Sequence, residues 1–172
     1  TREHFIPLHE LIGWKMDDER IFCENLYPYQ VIFCNIAIDG REVKQWTQPL
    51  FEAMGVATFG LICCEDQDIL KFIVRAIPEI GSFDGLELGP TVQYEAVPLL
   101  GHEETVMDTY FAQKLKDEED VWFDHFLSEE GGRFYHEQNR NVLLRVKREE
   151  LPELPEGYFM VDYYTLNECS QI

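Results

Sequence analysis

Residues 57–77 read Ala57-Thr58-Phe59-Gly60-Leu61-Ile62-Cys63-Cys64, then Glu65-Asp66-Gln67-Asp68, then Ile69-Leu70-Lys71-Phe72-Ile73-Val74-Arg75-Ala76-Ile77. Two apolar runs of strand length flank four polar residues, a pattern that predicts a β-hairpin. Upstream, Tyr29 to Ile38 (YQVIFCNIAI) predicts another strand, closed by the turn pair Asp39-Gly40. Downstream, Leu86 to Tyr94 reads as extended, because Pro90 denies it a regular helix interior. From Glu103 to about Leu127 the spacing turns helical, through Met107, Tyr110, Phe111 and Leu115, then Val121, Trp122, His125 and Phe126. The run Lys116-Asp117-Glu118-Glu119-Asp120 between those two groups reads as a solvated junction. Asn141 to Val146 and Tyr158 to Tyr163 return to strand, and a short helix ends the chain. Residues 1–20 read as an irregular or short helical lead-in. Strands dominate the first half and β-α-β alternation is weak. The expected class is therefore α+β, a mixed or antiparallel sheet flanked by helices.

The bulk numbers agree with one folded domain. The 172 residues are enough to bury a core, and 45% hydrophobic with 13% aromatic content argues against disorder. Neither a Ser/Gly/Pro-rich linker nor an internal repeat divides the chain. The formal net charge of −19 repels phosphate backbones and anionic lipid, so nucleic acid and membrane surfaces are not expected partners. No apolar run approaches the roughly 18 residues that span a bilayer. Thr1 to Trp14 shows neither the basic end nor the apolar centre of a signal peptide, and a cytoplasmic protein is the expectation.

Cys23, Cys34, Cys63, Cys64 and Cys169 form no C-x-x-C pair. Cys34, Cys63 and Cys64 lie in apolar runs, where Cys serves as a small buried residue in a reduced compartment. The histidines, His4, His9 and His125 among them, show no ligand spacing, so no metal is expected. One local feature runs against the overall charge. Arg133, Arg140, Arg145, Lys147 and Arg148 face a single acid, Glu137, for a local charge of +4. Clustered Arg suits bidentate phosphate contacts. The last three cations could equally pair with Glu149-Glu150, whereas Arg133 and Arg140, flanked by glycines and Asn, are better placed for a ligand.

Three polar blocks carry a more specific signal. Arg41-Glu42-Val43-Lys44-Gln45-Trp46-Thr47-Gln48-Pro49-Leu50 resembles the R-E-V-x-x-W-x-Q-P-L signature of the NDP-hexose 2,3-dehydratase family. Glu87-Leu88-Gly89-Pro90-Thr91-Val92-Gln93 is similar to its E-x-x-P-T-V-Q block. Ser128-Glu129-Glu130-Gly131-Gly132-Arg133-Phe134-Tyr135, with Asn139-Arg140-Asn141, is similar to its S-E-E-G-x-R-F-Y…N-R-N stretch. The resemblance covers roughly residues 5 to 168 and implies a single Nudix-like domain over residues 1–172. The family carries two such domains in tandem, so the resemblance implies either a homodimer that rebuilds the tandem or a lone domain put to another use; the homodimer is the expectation. Nudix hydrolysis is not expected, because that chemistry needs a Glu-rich helix for Mg²⁺. The stretch from Arg41 to Gly55 offers only Glu42 and Glu52, interrupted by Pro49.

The chemistry implied by the resemblance is loss of water across C2 and C3 of an NDP-4-keto-6-deoxyhexose, dTDP-linked by expectation. The C4 ketone is the electron sink, so no cofactor is required. Proton transfer needs a group among the motif acids Glu42, Glu87, Glu129 and Glu130, or His136 and Tyr135; the expected catalytic set is Glu129, Glu130, Tyr135 and His136. Arg133, Tyr135 and Asn139 are suitable donors to an oxyanion. Thr91 and Gln93 could bond sugar or diphosphate, and Arg41, Glu42 and Arg140 complete the expected substrate contacts. Trp46 either stacks a pyrimidine or packs in the core, and Gln48 is a candidate reader of a base edge. A non-catalytic sugar-nucleotide-binding module, or related proton abstraction on another keto substrate, remains the alternative.

Overall fold

The computed structural model describes residues 5–78, 85–97 and 104–169. His4 and Glu103, named above, lie outside the described residues. The class is α+β: the described residues form eleven strands and two α-helices. Contacts divide the chain into two compact units. One is drawn from the residues up to Val56, the stretch that begins at Glu95, and Ser128–Gln138. The other takes Ala57–Tyr94, the stretch that runs to Leu127, and the residues from Asn139 onward.

The first unit is built on a four-stranded antiparallel sheet of β1 (Trp14–Met16), β2 (Arg20–Cys23), β3 (Tyr29–Ala37) and β4 (Gln45–Ala53), paired in that order. The described part of the lead-in, residues 5–20, is mostly irregular as expected, with a 3-10 turn at Leu8–Glu10, and adds the short strand β1. Asp17 makes the first reversal by accepting the backbone N–H groups of Glu19 and Arg20, both at 2.9 Å. The expected strand at Tyr29 pairs with β4 from Tyr29↔Ala53 to Ala37↔Gln45. Gly40, at φ +86°, turns the connection between them. Pro49 sits within β4 without breaking it. Phe51, two residues on, points its N–H away from β3 to Arg133, so the missing N–H of Pro49 faces that same outer edge.

The second unit holds a seven-stranded mixed sheet. Its hairpin is the expected one, β5 (Thr58–Asp66) and β6 (Ile69–Pro78), turned by Gln67 and Asp68 at φ +53° and +62°. Two successive positive φ values match the right-handed twist of the strands. Strand order is β11-β6-β5-β10-β9, where β9 is Val121–Ser128, β10 is Gln138–Val146 and β11 is Tyr158–Asp162. β10 runs parallel to β5 and β11 antiparallel to β6. Two short strands, β7 (Leu86–Gly89) and β8 (Val92–Tyr94), add to β6 and β5.

Alternate residues of β5 and β10, with Ile62, Cys64, Val142, Leu144 and Val146, turn one face toward α1 (Val106–Lys114). Met107 and Phe111 of that helix are fully buried there, each worth about 1.5–3 kcal/mol relative to exposure. A capping box, in which Thr105 and Asp108 exchange hydrogen bonds, starts the helix. α2 (Tyr163–Cys169) follows β11, as the sequence predicts.

One expectation is corrected. Val121 to Phe126 is strand β9, not the continuation of a helix. Residues spaced 121, 122, 125 and 126 fit either period, and pairing beside β10 decides for strand. The junction before it is a turn and the 3-10 segment Glu118–Asp120.

Candidate functional site

The segment Ser128–Gln138 folds back on the first unit's sheet. The Glu130 carbonyl accepts the N–H groups of Arg133 (3.2 Å) and Phe134 (3.0 Å), closing a tight turn through Gly131-Gly132. Phe134 then lies as a parallel bridge beside Phe51 of β4. Phe51 N–H donates to the Arg133 carbonyl at 2.8 Å, and Tyr135 N–H donates to the Phe51 carbonyl at 2.7 Å. The rings of Tyr29, Phe51 and Phe134 cluster with centroids 5.9 to 6.3 Å apart. At the base of the segment, Glu129 N–H donates to the Glu137 carbonyl at 3.1 Å.

Between this segment and β4 lies a cleft of about 290 Å³. Leu50, Glu129, Phe134, Tyr135, His136 and Glu137 line it. Tyr135 and His136 meet edge to face with centroids 4.5 Å apart. His136 holds a left-handed backbone at φ +50°, uncommon for a residue with a side chain and concentrated at functional sites. Three of the four expected proton-transfer residues therefore share one cleft. Glu130 does not line it; its carboxylate takes a bidentate contact from Arg133, 2.9 Å from Nε and 2.7 Å from Nη2. That pair is exposed, so Arg133 is tied only loosely.

The first motif block braces this cleft. Trp46, Gln48 and Leu50 alternate onto one face of β4. The Trp46 indole donates to Gln48 Oε1 at 3.1 Å, and Gln48 Nε2 donates to the Gly132 carbonyl at 2.7 Å. Both ends of the Gln48 amide are engaged, so it holds the glycine turn rather than standing open to a base edge. Arg41, Glu42 and Trp46 line a separate shallow depression with Gly40 and Val43.

The remaining expected contacts belong to the second unit. Thr91 is fully buried, accepting from Ile62 N–H at 2.8 Å and donating to the Ile73 carbonyl at 2.5 Å. Its hydroxyl is committed to the sheet, which corrects the expectation of a sugar contact. β5 pairs with β8 as far as Gly60 and with β6 from Ile62, so Thr91 fills the fork between them. Gln93 lies in β8 opposite Phe59. Asn139 is buried in β10. Arg140 grips Asp124 through Nε (2.8 Å) and Nη2 (2.6 Å), which holds the Asp124 carboxyl below its ordinary value. Glu87 is exposed on β7.

The cationic run is neutralised locally in the same way. Arg145 bonds Glu65 and stacks over Trp122, Lys147 pairs with Glu150, and Arg148 lies 3.8 Å from Asp66. Only Lys147 takes a partner from Glu149-Glu150; the other acids come from elsewhere in the sheet.

One residue of the cleft, Glu137, and its partner Tyr29 were not among the expected site residues. Glu137 is 5% exposed, and the Tyr29 hydroxyl donates to its Oε1 at 2.9 Å. Burial first, then the hydrogen bond to Glu137 and the charges of Glu137, Glu95 and Glu129, push the Tyr29 phenol far above its ordinary value. It therefore stays a hydrogen-bond donor throughout the neutral range. A pairing across so many residues leaves no local trace in sequence.

Comparison with known proteins agrees with the motif blocks. The chain is 34% identical, over 97% of its length, to a dTDP-4-dehydro-6-deoxy-alpha-D-glucopyranose 2,3-dehydratase of Streptomyces violaceoruber, of which it covers 38%. Proteins of the same name from Saccharopolyspora spinosa and Amycolatopsis orientalis are 30% and 29% identical over 89% and 94% of this chain, which covers 32% and 34% of them. The chain thus spans about a third of the length of these relatives. Among solved structures, the C. elegans Ap4A hydrolase superposes with a TM-score of 0.38 at 12% identity, over 69% of this chain and 89% of that one, too loosely to carry an argument. The family model for NDP-hexose 2,3-dehydratase matches residues 1–172, and the chain belongs to that family.

Proposed function

We propose that this chain carries out, or forms the part of a longer protein that carries out, the 2,3-dehydration of an NDP-4-keto-6-deoxyhexose. The observation that carries the reading is the meeting of the first and third family motif blocks at a cleft lined by Glu129, Tyr135 and His136. A base removes the C3 proton, made acidic by the C4 ketone, and the electron pair is held as an enolate. The enolate expels the C2 hydroxyl, which leaves as water with a proton from a general acid. The enol so formed tautomerises to the 3,4-diketo-2,6-dideoxy sugar.

Tyr135 is suited to donate to the enolate oxygen and His136 to protonate the leaving hydroxyl, while Glu129 faces the same space. Arg133 is suited to exchange its exposed contact with Glu130 for the substrate diphosphate. A dTDP-linked sugar is the substrate we favour, from the names of the relatives. We read residues 1–172 as one family domain of Nudix-like type, since a single family model runs through them, and expect it to act as a cytoplasmic homodimer in deoxysugar biosynthesis for natural products. No described helix is long and apolar enough to cross a membrane.

A second reading is a sugar-nucleotide-binding module without turnover, to which the exposed Arg133 would contribute a diphosphate contact. Turnover separates the two. The purified chain is incubated with dTDP-4-keto-6-deoxyglucose and a 3-ketoreductase that traps the unstable diketone, and the products are followed by NMR. A 2-deoxy product supports the dehydratase. Calorimetric binding without product supports the module.

A further inference from the structure

The cleft holds one acid that neither motif spacing nor charge patterning singles out. Glu137 is almost fully buried, yet it lines the same space as Tyr135 and His136. A carboxylate is seldom taken that far from water unless it is held by partners or required for chemistry. Tyr29 supplies one partner, at 2.9 Å. The neighbouring acids are less suited to abstract a carbon-bound proton. Glu130 is occupied by Arg133 in a bidentate pair, and Glu129 is exposed to solvent. A base for this step needs a fixed direction and little competing water. Glu137 has both: the Tyr29 hydroxyl holds its Oε1, it is 5% exposed, and it shares the cleft lining with Leu50 and Phe134.

We infer that Glu137 is the catalytic base that takes the C3 proton, and that Tyr29 is the positioning residue that fixes its carboxylate. The inference rests on the dehydratase reading above and names the base within it. In the step, the Glu137 carboxylate bonds the C3 proton, the C3–H electron pair becomes the C3=C4 bond, and the ketone pair moves to its oxygen. The pair then returns, C2=C3 forms, and the C2 oxygen leaves as water with a proton from the acid of the cleft. Because the Tyr29 phenol keeps its proton, it remains a donor to Glu137 across the neutral range.

The test compares the purified chain with Glu137→Gln, Glu137→Asp and Tyr29→Phe, using dTDP-4-keto-6-deoxyglucose in deuterated water. Three quantities are read: loss of the C3 proton by NMR, 2-deoxy product with the trapping reductase, and substrate Kd by calorimetry. Glu137→Gln should slow C3 proton loss and product formation by about 100-fold or more while Kd stays within about threefold. Glu137→Asp should recover part of that rate. Tyr29→Phe, which keeps the packed ring, should lower kcat about tenfold at unchanged KM, an effect that a structural role alone would not give; it also reports if Glu137→Gln does not fold. Proton loss in Glu137→Gln within threefold of the parent overturns the base assignment and leaves the dehydratase reading intact. An unchanged kcat in Tyr29→Phe overturns the positioning role. A parent chain that binds substrate but neither loses the C3 proton nor forms product overturns both this inference and the reading beneath it.

Discussion

Replacing Thr91 by Val tests whether the second motif block is architecture or ligand contact. Valine matches threonine in shape but lacks the hydroxyl. That hydroxyl accepts from Ile62 N–H at 2.8 Å and donates to the Ile73 carbonyl at 2.5 Å, in a place with no access to solvent. Each bond contributes about 1 kcal/mol net, and each backbone group left stranded in the core costs roughly 1–3 kcal/mol. Partial relaxation of the fork brings the expected loss to about 2–4 kcal/mol, a large share of the roughly 5–15 kcal/mol typical of a domain. Thr91→Ser keeps the hydroxyl and removes one buried methyl, for about 1 kcal/mol. Urea unfolding followed by tryptophan fluorescence gives both values, and calorimetry with dTDP-sugar gives affinity. Thr91→Val should be the less stable of the two variants and bind ligand as the parent does. If Thr91→Val retains parental stability within about 0.5 kcal/mol and binds tenfold more weakly, the hydroxyl serves the ligand and the fork argument fails.

Gly60→Ala should destabilise the second unit by about 1–3 kcal/mol, since the new Cβ would stand 2.4 Å from the Phe111 ring and 2.6 Å from Val92 Cγ2. A thermal melt unchanged within about 1 °C would mean that α1 can withdraw freely. Cysteine labelling at pH 7.5 should reach exposed Cys169 well before Cys63 and Cys64. Burial pushes the Cys63 thiol up to about 11 and raises that of Cys64, leaving little thiolate to react. Early label on Cys63 or Cys64 in a peptide map would contradict the buried assignment.

Local pattern carried much of this protein. Alternating or continuous apolar runs marked β3, β5, β6, β10 and β11, and the polar tetrapeptide marked the hairpin, because strands are built from short-range preferences and turn chemistry. The three polar blocks identified the family. β9 was misread where four aromatic and apolar residues satisfied helix and strand spacing alike, and only its place beside β10 settled it. β4 was legible as a motif but not as a strand, since Pro49 hides its period; the edge that lacks a hydrogen-bond partner at Pro49 is a property of the sheet.

At the site the division is sharper. Sequence alone named Glu129, Tyr135 and His136, which share the cleft, and equally named Thr91 and Arg140, which turn out to be engaged within the sheet of the other unit. Side-chain chemistry says what a residue can do, whereas burial and partners decide what it is left free to do. Glu137 shows the limit from the other side. It reads as one acid among cations, and its role arises from a contact with Tyr29, which is remote in sequence and has no local signature. Sequence determined the family and the strands β3, β5, β6, β10 and β11; the packing of Ser128–Gln138 against β4 determined which acids line the cleft, because that contact is made only when distant segments meet.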